Sequence, residues 1–156
     1  MRGCGVESLR LEQGLQFPSI SIGPFAEENL LRMAELTRDF HPVRLVPRVA
    51  KDAGHVGLLL HPTWISGLSD AGIRTAFSCC RVMSLAVSHR GTAVHLDILS
   101  LELACQEQNN RKGELSVSFC VKNQRGSLVA EGVARILLNP PQRVTNVSRE
   151  TSDGLS

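Results

Sequence analysis

Hydrophobic residues recur at two different spacings along this chain, and the change falls near Cys80. In the segment Ala26–Thr37, Leu30, Met33, Ala34 and Thr37 return at helical intervals on one face. Glu27 and Glu28 stand where the helix dipole favours negative charge, so an amphipathic helix is predicted. Pro42 forbids its continuation and biases His41 towards extended backbone. Pro47–Ala53 predicts a further helical turn. From Leu58 the chain is apolar on nearly every side through Leu60, Trp64, Ile65, Leu68, Ile73 and Ala76, and Pro62 suits a first helical turn. A helix of that kind is expected to be wrapped by other structure.

Beyond it the period becomes two. Leu115, Val117, Phe119 and Val121 alternate with Glu114, Ser116, Ser118 and Cys120, as Leu99–Cys105 and Met83–Ser88 do in their turn. Ser127–Leu138 follows the hairpin-like turn Asn123-Gln124-Arg125-Gly126, and Asn109–Gly113 reads as another turn. Four strands at hairpin spacing, preceded by a short β-like run at Phe17–Ile22, predict an antiparallel meander with one buried face. The fold class is therefore α+β, a long antiparallel sheet around one central helix. Residues 1–15 read as a loose lead-in, 16–139 as one domain and 140–156 as a polar tail.

Composition narrows the function classes. The chain has 156 residues, within the range of a single domain with one core. A net charge of +2, scattered basic residues and 4% aromatics argue against nucleic-acid binding. No run approaches the roughly 18 apolar residues of a membrane span, and Met1–Leu15 does not resemble a signal peptide, so a cytoplasmic protein is expected. The five cysteines, Cys4, Cys79, Cys80, Cys105 and Cys120, form no metal-ligand spacing, and no metal or other cofactor is implied. Cys105 and Cys120 read as small buried hydrophobes, and the sequon at Asn146 as chance.

Three segments then carry a resemblance. Phe25–Arg44 pairs an amphipathic helix with Asp39-Phe40-His41-Pro42-Val43-Arg44, Val49–Ser66 contains His61-Pro62, and Val121–Gly132 contains Asn123-Gln124-Arg125-Gly126. In this order they resemble the MaoC-like hydratases and dehydratases of the hot-dog fold, best known as (R)-specific enoyl-CoA hydratases, over about residues 22–139. The resemblance implies a hot-dog domain, edge-to-edge homodimers and a thioester substrate on coenzyme A or a carrier protein. It places an Asp-x-Asn-Pro-x-His motif on Asp39–Arg44, whose Asp and His form the acid–base pair. It also places a His-Gly pair, with an N–H for the thioester oxygen, on His61-Pro62.

The departures decide what chemistry remains. Asp39 and Pro42 are kept, His41 stands at the Asn position, and Arg44 replaces the His. Arginine stays protonated and cannot serve as a base, and Pro62 has no N–H to offer. Asp39 is a retained acid–base group or a loop carboxylate paired with Arg38 or Arg44. His41 forms a relocated dyad with Asp39 or lies on the surface. Arg44 holds a carboxylate, phosphate or enolate-like oxygen, or makes a salt bridge to Asp39. His61 belongs to the site or is a hydrogen-bonded core histidine, and Trp64 is core or pocket wall. Pro42 and Pro62 frame the binding site. Asp97 is expected to be structural, and nothing selects His89 or His95 over surface positions. Two functions follow: a divergent dehydratase or hydratase, with elimination, isomerisation or cyclisation as variants, or a non-catalytic hot-dog subunit that binds acyl chains or supports an active partner.

Overall fold

The computed structural model describes residues 13–78, 80–109 and 113–138. Cys4, Cys79, the centre of the Asn109–Gly113 turn, most of the lead-in, the tail and Asn146 lie outside them. The elements run β1 (Ile20–Ile22), α1 (Glu27–Thr37), a 3-10 turn (Pro42–Arg44), α2 (Pro47–Asp52), α3 (Pro62–Ala76), β2 (Cys80–His89), β3 (Leu99–Asn109), β4 (Glu114–Asn123) and β5 (Leu128–Leu138). The two halves of the hydrophobic pattern thus become helices and then strands, and the α+β hot-dog architecture stands.

Strand order corrects the meander. The sheet is antiparallel with order β1-β3-β4-β5-β2, so β2 pairs with β5 across the sheet instead of lying beside β3. Only β3, β4 and β5 are joined as successive neighbours. The reason lies between β2 and β3. The segment Arg90–Ile98 is no hairpin turn: it is held by Leu60 N–H to Ala93 O, His95 N–H to Leu58 O and Phe25 N–H to His95 O. The chain is thereby carried to the opposite edge.

Alternation in β4 is complete, with Leu115, Val117, Phe119 and Val121 buried. In β2 it breaks. Alternation alone puts Met83 on one face with Leu85 and Val87, but a bulge between Val82 and Ser84 inserts an extra residue. Cys80, Val82, Leu85 and Val87 turn inward instead, and Met83 is exposed. Cys105 is buried as expected, whereas Cys120 points to the other face of the sheet, with Sγ 3.2 Å from Glu102 Oε2.

Helix α3 packs on one face of the sheet and buries Ile65, Ser69, Gly72 and Ile73, a stripe at i, i+4, i+7 and i+8. A Cβ on Gly72 would run into the Leu101 side chain, so the missing side chain lets helix and sheet approach closely. The helix is buried against the sheet along this stripe, as expected, while its opposite face is less covered. Thr63, Gly67, Ala71, Arg74 and Thr75 are exposed, because the sheet covers one face and the opposite face carries small or polar residues. Leu58–Leu60 precedes the helix as extended chain, with Leu59 bridged to Val94 and Leu58 and Leu60 buried.

Candidate active site

Helix α1 ends where the site begins. Arg38 adopts a left-handed conformation (φ 58°) that stops the helix and turns the chain towards α3. Asp39 Oδ1 then accepts the main-chain N–H of His41 at 3.1 Å, an Asx-type turn suited to a short carboxylate side chain. Pro42 opens the 3-10 turn, and the His41 imidazole caps it, with Nδ1 accepting the Val43 N–H at 3.3 Å. The His41 side chain therefore serves its own turn.

The imidazole facing the carboxylate belongs to His61. Its Nε2 lies 3.2 Å from Asp39 Oδ2, while Nδ1 accepts the Thr63 N–H at 3.1 Å and caps α3. With Nδ1 an acceptor, a neutral ring carries its proton on Nε2, the nitrogen that faces Asp39. Arg44 approaches the same carboxylate oxygen, Nε to Oδ2 at 3.1 Å, and its Nη1 donates to Leu60 O at 3.0 Å. The Nε–H is buried and finds no acceptor in line, so charge rather than a hydrogen bond holds that contact. The side chains of Asp39, Arg44 and His61 are 32%, 20% and 19% exposed, so the cluster is enclosed yet open at one side.

That cluster stands at a narrow surface cleft, whose roughly 200 Å³ of empty space includes open solvent. Leu30, Met33, Ala34 and Thr37 of α1, the face predicted from helical spacing, form one wall. Leu59 and Trp64 complete the apolar lining, and Trp64 packs edge-on to Phe25 with ring centroids 5.1 Å apart. Asp39, Arg44 and His61 supply the polar edge. Pro42 and Pro62 are exposed and shape the backbone on either side without lining the cleft.

Asp39 is held below the usual carboxylate range, first by the His41 main-chain N–H. Partial burial opposes this, and the Arg44 and histidine charges add to the lowering. Near neutral pH it is a carboxylate and enters any reaction without a proton. Elsewhere, His95 is buried with Nδ1 accepting the Leu58 N–H, and Asp97 accepts from Val94 N–H, Gln124 and Arg125. Both hold loops together, which accords with a structural Asp97. His89 ends β2 on the surface. The described residues contain no cluster of His, Cys, Asp or Glu suited to a metal ion, and no helix among them is long and apolar enough to cross a membrane.

Two parts of the site escaped sequence reading: the pairing of Asp39 with His61, and the Leu60 carbonyl that holds Arg44. A signal for the first exists in His61-Pro62, since a histidine before a helix-opening proline sits at the N-cap and is aimed by it.

No family model matches this chain, and no curated protein matches it. Solved structures do. The R-hydratase PhaJ1 of Pseudomonas aeruginosa is 21% identical with a TM-score of 0.75, over 94% of each chain. The (R)-hydratase of A. caviae involved in PHA biosynthesis is 19% identical with a TM-score of 0.74, over 83% of this chain and 98% of that one. In the HadBC complex of Mycobacterium tuberculosis, a 3R-hydroxyacyl-ACP dehydratase, the matching chain is 15% identical with a TM-score of 0.63, over 80% of this chain and 96% of its own. At these identities the likeness establishes the shared fold.

Proposed function

We propose that this chain is a hot-dog lyase of hydratase–dehydratase type, adding water to an acyl thioester or removing it, with Asp39 and His61 exchanging the proton. The observation that carries this reading is the 3.2 Å contact between His61 Nε2 and Asp39 Oδ2 at the edge of an apolar cleft. An imidazole reaches the retained carboxylate even though Arg44 occupies the motif's histidine position. In hydration, water delivers its oxygen to Cβ and gives a proton to the pair, and Cα receives a proton in return. The ionised Asp39 supplies the base, and His61 works through Nε2 because Nδ1 is committed to the helix. The likeness to (R)-hydratases and to a hydroxyacyl-ACP dehydratase supports a thioester substrate on coenzyme A or a carrier.

The test is hydration of crotonyl-type and longer enoyl thioesters by purified protein, followed by loss of the conjugated absorbance. Asp39→Asn and His61→Asn are each expected to lower the rate by about 10²-fold or more, the scale of one general acid–base group. Absence of turnover on both coenzyme A and carrier substrates, or unchanged rates in both variants, would falsify the reading.

One observation favours a second reading, a subunit that supports an active partner. Asp39 already receives His41 N–H, Arg44 and His61, which weakens it as a base. The 3R-hydroxyacyl-ACP dehydratase with this fold, HadBC, is a complex. Strand β2 leaves one edge of the sheet open among the described residues, with Met83 exposed on it, an edge suited to joining a second hot-dog chain. Light scattering that finds a homodimer with its own turnover favours the first reading; an inactive chain activated by an added second hot-dog subunit favours the second.

A further inference from the structure

Addition of water to an enoyl thioester, or its removal, drives negative charge onto the carbonyl oxygen, and the site must place a donor there. The main chain around His61 has little to give. The N–H of Leu58 goes to His95 Nδ1, that of Leu59 to Val43 O and that of Leu60 to Ala93 O. Pro62 has none, Thr63 N–H is taken by His61 Nδ1 and Trp64 N–H by His61 O. His61 itself is the exception: its N–H has no acceptor among the described residues.

Arg44 is differently placed. It lines the cleft, it is fixed from behind by Nη1 to Leu60 O, and its Nη2 has no protein partner among the described residues while remaining open to solvent. Asp39 balances its formal charge at 3.1 Å. A free carboxylate would therefore be repelled by Asp39 about as strongly as Arg44 attracts it. A neutral carbonyl gains a charge-assisted hydrogen bond without that conflict, and gains more as its oxygen becomes negative.

Resting on the proposed thioester reaction, we infer that the Arg44 guanidinium binds the carbonyl oxygen of the acyl thioester and holds its developing charge, a task left largely unfilled by the backbone. The side chain that cannot act as a base thereby becomes the electrophilic residue of the site. The acyl chain lies against Leu30, Met33, Leu59 and Trp64, and discrimination runs in favour of thioester over free acid.

The experiment reads the carbonyl directly. A conjugated enoyl thioester is bound to the protein, with binding followed by fluorescence of Trp64, the one tryptophan in the chain. The infrared carbonyl stretch is expected to move to lower frequency in the wild type and in Asp39→Asn, and to return to its solution position in Arg44→Met. Turnover in Arg44→Met is expected to fall by about 10²-fold or more, as for loss of one oxyanion donor. A second readout needs no variant: the guanidinium N–H resonances of Arg44 should move when the thioester binds and stay still when the free acid is added. A shift that survives in Arg44→Met overturns the inference and points to the His61 N–H. Static Arg44 resonances on thioester binding, or failure of the wild type to bind any enoyl thioester, overturn it as well. A carbonyl shift without turnover would instead sink the acid–base reading while leaving this one standing.

Discussion

The sheet with its helix and the clasp formed by residues 37–64 are built by different means. In the first, apolar side chains repeat with a fixed period, and each buried position is backed by neighbours of the same kind: Ile73, Val117, Ala134 and Ile136 are fully enclosed. In the clasp few side chains are deeply buried, and single polar contacts set the path. Asp39 makes three contacts through one carboxylate: His41 and Arg44 at the two ends of the 3-10 turn, and His61 at the head of α3. A periodic region spreads its stability over many weak contacts, whereas the clasp concentrates geometry in a few. Substitutions should therefore cost the sheet stability and cost the clasp function.

The largest effects should lie in the sheet. A Cβ on Gly132 would strike the Ala86 carbonyl oxygen on β2 and the Phe119 ring on β4, and backbone on a paired strand has little room to retreat. Gly132→Ala is expected to destabilise by about 3 kcal/mol, at the upper end for overpacking. Ile73→Ala, which empties a site between helix and sheet, should cost about 4 kcal/mol. Urea unfolding measures both. Losses below about 1 kcal/mol would mean that the core relaxes freely, and the contrast with the clasp would disappear.

This division also explains what was legible in the sequence. Period-two alternation requires only that one face be buried, so β3 and β4 could be read from their residues, and β5 from the turn that precedes it. The face of α1 built from Leu30, Met33, Ala34 and Thr37 was legible for the same reason, and it lines the cleft. Strand order was not legible, because which edge β2 joins depends on the path of Arg90–Ile98 and not on β2 itself. The bulge at Met83 was hidden too, since one inserted residue leaves composition unchanged while reversing every later side chain. In the clasp, the residues of the site stood out by type, but their pairing did not. His41 lies near Asp39 in sequence and turns to cap its own turn, while distant His61 comes to the carboxylate because a helix N-cap aims it.

His61 permits an intermediate test, because it has two separable tasks. Asparagine is a good N-cap and keeps an acceptor for the Thr63 N–H, but it is shorter than histidine and gives up the contact with Asp39. Alanine loses both. His61→Ala is expected to be less stable than His61→Asn by about 1 kcal/mol, the usual worth of an N-cap, while both lose the imidazole proposed to exchange the proton with Asp39. Equal stability of the two variants would mean that the Nδ1 contact at 3.1 Å contributes nothing to α3.

The smallest effect, and the one that most sharpens the contrast, is the acid response of Asp39. Its pKa is lower in the folded chain than in the unfolded one, with the His41 N–H as the largest cause. At a pH above the unfolded value, near 3.8, the carboxylate is ionised in both states and its stabilising contribution is fully present. As pH falls through the lower, folded value the native carboxylate takes up a proton, and that contribution is lost. The stability difference between wild type and Asp39→Asn should therefore shrink as pH falls below about 4. Equilibrium unfolding at a series of pH values measures this difference. Because the group is partly exposed, the convergence should be small. A difference that instead grew on acidification would mean a raised folded-state pKa. Asp39 would then hold a proton more readily than the His41 N–H and the nearby Arg44 and His61 allow, and would be suited to act as an acid.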